Sequence, residues 1–177
     1  MPEEIINKVS QSAILTLDLE QFYPGENIRI FDLKPFLFME LILKEKDFRT
    51  ALLSEDWEKY KDEIVGIYCS ADAVIPVWAY MLVTSYLQPF AKEVIMGDEP
   101  AVLRQLITSR IQAIHPEDYK DKRVVVKGCG DKQIGDFAYL EITKLLRPVA
   151  KSIMYGEPCS MVPIYKSPRS APETDNR

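Results

Sequence analysis

Three cysteines are the residues of this chain best equipped for chemistry: Cys69, Cys129 and Cys159. Cys69 and Cys129 each follow an apolar run of strand length, and an aspartate lies just beyond each of them, Asp72 and Asp131. Thiolates are soft donors. Three of them, with a carboxylate, a water or a partner's residue as fourth ligand, would complete a tetrahedral zinc or iron site or hold an iron–sulfur cluster. The spacing contains no C-x-x-C pair, so this expectation depends on the fold bringing the three thiols together. A free cysteine also packs readily as a small buried hydrophobe. A second reading is nucleophilic, because a helix N-terminus lowers the pKa of a nearby thiol. His115 is the single histidine, and the connecting helix places it at the opposite edge of the sheet, so a Cys–His dyad is not expected. That reading is an enzyme of unassigned reaction using a crevice cysteine. A third uses Gly128 and Gly130, whose backbone N–H groups could cradle an anion or nucleotide phosphate, with Asp72 and Asp131 beside them. The run is not G-x-G-x-x-G, since the next glycine is Gly135, and Glu157 only partly matches a ribose-binding acid. Without any ligand, the glycines would permit a tight turn and the aspartates would cap helices.

The elements that position these residues are duplicated. Shifted by 59 positions, residues 77–97 fall on residues 136–156 with eight identities, Ala79/Ala138, Tyr80/Tyr139, Thr84/Thr143, Leu87/Leu146, Pro89/Pro148, Ala91/Ala150, Lys92/Lys151 and Gly97/Gly156. Residues 60–62 match 119–121 at the same shift, as do Asp72 and Asp131. Cys69 and Cys129 align only at a shift of 60, which predicts that one loop is a residue shorter. Two copies of this length suit a duplicated βαβ half-domain better than a solenoid.

Residues 13–19 alternate as a half-buried strand, residues 23–27 are turn chemistry, and residues 28–31 offer a returning strand, which predicts a β-hairpin. From Asp32, a plausible N-cap, to residue 53 the pattern is helical. Each copy then reads strand, helix, strand. The helix at 75–88 offers Trp78, Met81, Leu82 and Leu87 to the core, and the joining helix at 100–114 carries Leu103, Leu106, Ile107, Ile111 and Ile114 on one stripe. Residues 161–165 form a last short strand. The fold class is α/β, a mostly parallel Rossmann-like sheet with helices on both faces, built from duplicated βαβ halves plus an N-terminal β-hairpin and helix. Residues 1–166 make one domain, with 1–56 as a cover, 57–100 and 116–158 as the copies, and 167–177 as a disordered tail. In a doubly wound sheet, ligands bind beyond the carboxyl ends of the two central strands. Cys69/Asp72 and Cys129/Asp131 would then face each other across that crevice, with Cys159 at the same end.

Composition narrows the class. At 177 residues with 47% hydrophobic and 28% charged content, the chain can bury a substantial core. A net charge of −5 argues against a nucleic-acid surface. No apolar run approaches the roughly 20 residues of a membrane span. The start lacks a signal-peptide pattern, and an odd number of cysteines suits reduced thiols, so a cytoplasmic protein is expected. Homo-oligomerisation is left open.

The stretches 69–76 (CSADAVIP), 127–132 (KGCGDK) and 155–160 (YGEPCS), with the opening 2–9 and the stretch 41–48, resemble the signature blocks of a family of small bacterial proteins known as domain of unknown function 2480. The resemblance covers nearly the whole chain except the tail. It implies no activity. It does imply association with iron–sulfur cluster assembly proteins of the sulfur-mobilisation type, which favours the thiolate-ligand reading.

Overall fold

A computed structural model describes residues 14–128, 130–157 and 160–168. In chain order the strands and helices are β1 (Ile14–Asp18), β2 (Ile28–Asp32), β3 (Leu37–Phe38), β4 (Ile42–Leu43), α1 (Glu45–Leu53), β5 (Ile64–Tyr68), α2 (Val77–Leu87), β6 (Glu93–Met96), α3 (Glu99–Gln112), β7 (Arg123–Lys127), α4 (Asp136–Leu146), β8 (Ser152–Glu157) and β9 (Ser160–Lys166). The chain divides into two compact units, a central one of residues 24–106 and a terminal one of residues 1–23 with 107–177. The boundary falls within α3.

The central unit holds a parallel sheet in the order β2-β5-β6. Ile64, Val65, Gly66 and Ile67 of β5 are all buried. A middle strand of a parallel sheet is covered on both faces, which is why its sequence is a continuous apolar run instead of an alternating one. Helix α2 buries Ala79, Val83 and Leu87, one residue per turn along a single stripe. Phe31, Leu33, Phe48, Leu52 and Tyr60 complete this core. The Phe31 ring stacks on Phe36 and on Trp57, with centroids 5.4 and 5.8 Å away.

The terminal unit holds a sheet in the order β1-β7-β8-β9, parallel except for β9, which runs antiparallel to β8. Val124, Val125 and Val126 of β7 are buried, and α4 buries Ala138, Ile142 and Leu146. These are the α2 core positions moved by 59. The register repeats as well. Val65 lies opposite Val94 in one sheet and Val124 opposite Ile153 in the other. The Asp62 N–H donates to the Phe90 carbonyl at 3.0 Å, and the Asp121 N–H donates to the Val149 carbonyl at 2.9 Å. Asp62 and Asp121 both adopt left-handed backbone, with φ of 59° and 57°. Gly97 and Gly156, at φ 141° and 114°, close the two copies in a region that favours glycine. The duplication is therefore structural, and it extends to the strands that precede it. Ile28 pairs with Ile64, and Ile14 pairs with Arg123, so β1 and β2 are equivalent edge strands.

The structure is mixed α/β with mostly parallel sheets, as expected, and three features differ from the sequence reading. First, β5 and β7 belong to different sheets, so the single doubly wound sheet and its switch point are not formed. Second, β1 and β2 do not pair with each other. The N-terminal hairpin is instead β3 against β4, with Leu37 opposite Leu43. The turn residues after Tyr23 carry the chain from one unit to the other. Third, the helix expected from Asp32 is confined to α1. Pro35 lies in a short 3-10 turn at Lys34–Phe36, and the left-handed residues Met39 and Glu40 form the tip of the hairpin. Within α2, Met81 is 68% exposed and contributes nothing to the core. Residues 1–13, and residues 169–177 of the tail, lie outside the described residues. Among the described residues no helix is long and apolar enough to cross a membrane.

Candidate functional site at the carboxyl end of the terminal-unit sheet

Asp18 ends β1 beside Lys127, which ends β7, and the two form an ion pair at 3.0 Å. The Asp18 carboxylate also accepts the Glu20 N–H at 3.0 Å, capping a 3-10 turn at Leu19–Phe22. Partial burial works to raise the Asp18 pKa. The Glu20 N–H and the Lys127 ammonium outweigh it and hold the carboxyl below its ordinary value. The same device closes β2. Asp32 accepts the Lys34 N–H at 2.9 Å, the Ser70 N–H at 3.0 Å and the Ser70 hydroxyl at 2.6 Å. Burial again opposes, and these donors again win, so the Asp32 carboxyl is also held low. In sequence Asp18 is the polar member of an alternating strand and Asp32 stands at an expected helix cap; both instead close strands. A usable signal was present in the repeated Asp-Leu pair, Asp18-Leu19 and Asp32-Leu33, whose leucines are both fully buried.

Glu20 is the unusual group of the terminal unit. Its Oε1 is buried and, among the described residues, has no hydrogen-bond partner. The carboxylate lies against Gly130, where a Cβ would fall 2.3 Å from that oxygen. Gly130 thus packs on the turn after β1. At Gly128 a Cβ would lie 2.7 Å from the Tyr139 Oη and 3.2 Å from the Leu19 Cβ. Lys132 sits over the Tyr23 ring at 5.0 Å. Beyond this loop, a cavity of about 360 Å³ is lined by Val126, Asp136, Tyr139, Thr143 and Tyr155 among others. The Tyr139 and Tyr155 rings meet edge to face at 5.6 Å.

The predicted residues separate between the two units. Cys69 follows β5 in the central unit, half-buried and packed against the core cluster of Phe31 and Val65. The Tyr80 hydroxyl is pushed up by burial and, secondarily, by the nearby Cys69 sulfur. The loops after β5 and β7 have equal length, because strands and helices in both copies are offset by 59. The counterpart of Cys69 is therefore Gly128, not Cys129, and the expected one-residue shortening is absent. Asp72 and Asp131 are exposed, and neither caps a helix, since the N-cap positions of α2 and α4 are Pro76 and Gly135. β5 and β7 lie in separate sheets, so a shared switch point does not place Cys69/Asp72 opposite Cys129/Asp131. Cys129 and Cys159 lie outside the described residues. In the chain, Cys129 falls two positions past β7 and Cys159 between β8 and β9. Among the described residues no group of three or more His, Cys, Asp or Glu side chains could hold a metal ion. His115 is exposed and precedes a 3-10 turn at Pro116–Tyr119, on the chain entering β7.

No curated protein and no solved structure matches the chain significantly. A family model described as "Protein of unknown function (DUF2480)" matches residues 3–167, and the chain belongs to that family.

Proposed function

We propose that this protein is a metal-handling accessory factor, with a single soft-metal site at the carboxyl end of the β7–β8 strand pair. Cys129 and Cys159 supply thiolates to iron or zinc, and Glu20 supplies a carboxylate oxygen. The single observation that carries the reading is the Glu20 Oε1, buried against Gly130 without a partner among the described residues, one position from Cys129 in the chain. A buried carboxylate oxygen with no donor is costly unless a cation or a proton meets it. Two thiolates and a carboxylate suit iron or zinc, with one position left for water or for a thiolate of a partner. The chain positions support the pairing, because β7 and β8 are adjacent parallel strands and each cysteine follows the carboxyl end of one of them. Adjacent strands lie about 4.8 Å apart. Anion binding at Gly128 and Gly130 fits less well, since a phosphate there would meet the Glu20 carboxylate beside Gly130. With an open fourth position, the protein would pass metal or a cluster to iron–sulfur assembly partners, as the resemblance implies.

Elemental analysis of anaerobically purified protein tests this. Stoichiometric iron or zinc is expected in the wild type, with its loss in Cys129→Ser and Cys159→Ser. Glu20→Gln should weaken affinity roughly 10–100-fold. A metal-free wild type with one hyper-reactive thiol would replace this reading with the enzymatic one.

A further inference from the structure

We propose that the terminal unit carries a second site, at the amino end of its parallel strands, for a small soluble phosphate ester with an apolar substituent. The strand register builds it. Arg123 of β7 lies opposite Ser152 of β8, and Ser152 lies opposite Lys166 of β9. Directly paired residues share a face of the sheet. Two cations therefore flank a hydroxyl across three adjacent strands, each step about 4.8 Å. Lys151 joins them around a cavity of about 390 Å³. Met154, Met161 and Tyr165 add apolar surface to the same cavity, and the Arg147 guanidinium stacks on Tyr165 at 3.7 Å.

The duplication supplies an internal control. Subtracting 59 converts Arg123, Lys151 and Ser152 into Ile64, Lys92 and Glu93 of the central unit, and Lys122 into Glu63. There the charges are satisfied within the protein. Lys92 pairs with Glu26, and Glu63 pairs with Arg29. In the terminal unit Glu93 and Glu63 are replaced by Ser152 and Lys122, and Ile64 by Arg123. Among the described residues no carboxylate forms an ion pair with Arg123, Lys151 or Lys166. Asp121, in the turn before β7, is the nearest acid along the chain. Cations gathered without a counter-charge repel one another and lower the cost of taking up an anion. An arginine with two lysines matches a phosphate dianion, and the methionines and tyrosine match an apolar body attached to it. The site uses none of the residues assigned to metal.

The test is calorimetric titration of the full-length protein with phenyl phosphate at low salt. Arg123→Ile and Ser152→Glu restore the residues that the central unit carries in the same register, so the sheet should accept them. Each is expected to weaken binding at least 10-fold, as is Lys151→Gln, with little change in melting temperature. Lys92→Gln should bind as the wild type does, and inorganic phosphate should bind at least 10-fold more weakly than the ester. Absence of phenyl phosphate binding, or equal binding by all three terminal-unit variants, would overturn the proposal. So would equal affinity for inorganic phosphate, or binding only to vesicles containing phosphatidic acid.

Discussion

Gly66 sits in the middle of β5, where a side chain would have to fit between elements already in contact. A Cβ at this position would lie 2.7 Å from the Gly97 carbonyl oxygen, 2.7 Å from the Ile30 Cδ1 and 2.8 Å from the Val102 Cγ2. Comfortable non-bonded separation is about 3.5 Å or more, so each contact is short by roughly 0.8 Å. Ile30 and Val102 can shift rotamer. The Gly97 oxygen is backbone and cannot yield without moving the chain after β6. Overpacking of this kind costs typically about 1–3 kcal/mol, and three simultaneous contacts place Gly66→Ala near the top of that range. Removing the glycine's freedom in the unfolded chain returns about 0.4–1 kcal/mol. The net loss is then about 2 kcal/mol, or roughly 4–8 °C in melting temperature for a chain of this length. The counterpart in the terminal unit is Val125, fully buried. There Val125→Ala should cost about 2 kcal/mol for the opposite reason, a cavity. Circular dichroism melts of both variants decide the matter. A Gly66→Ala protein as stable as the wild type, or more stable, would refute the close approach of β5 to the chain after β6.

Other outcomes follow from the same geometry. Asp32→Asn removes a carboxylate that accepts three hydrogen bonds, and should cost about 1 kcal/mol near pH 7 after allowance for solvent screening. Because the folded pKa of Asp32 is depressed, its contribution is present above the unfolded value of about 3.9 and is lost as pH falls through the folded value. Urea midpoints of the variant and the wild type should therefore converge below about pH 4. Cys69→Ser should cost about 1 kcal/mol by placing a hydroxyl against the apolar cluster, while metal content stays at the wild-type level. Met81→Gln, on an exposed position of α2, should change stability by no more than about 0.5 kcal/mol in the same melts.

Much of the fold was legible because it is written in local periodicity. The continuous apolar runs of β5 and β7, the stripe of α3 and the shift of 59 identified elements, their order and their duplication. Partner choice was not legible. Residues 14–18 and 28–32 carry the same alternation whether they pair with each other or with strands far along the chain, and a Pro-Gly turn between them fits either outcome. Parallel pairing with β5 and β7 is set by packing that no local signal records. The expected facing of Cys69 and Cys129 rests on the same choice of partners. Placing Cys69 opposite Cys129 required one sheet, and the match of cysteine to cysteine at a shift of 60 outweighed the shift of 59 kept by every neighbouring residue. The common offset of 59 in strands and helices makes Gly128 the counterpart of Cys69. Glu20 could not be singled out at all. Its sequence context is that of a surface turn, and its burial beside Gly130 comes from tertiary packing.

The most direct measurement is X-ray absorption at the metal edge of protein isolated without oxygen. The account predicts two sulfur scatterers at about 2.3 Å with oxygen donors at about 2.0–2.2 Å. That pattern should survive Cys69→Ser and be lost in Cys129→Ser. A shell of three sulfurs that drops to two in Cys69→Ser would contradict it, and so would a first shell without sulfur.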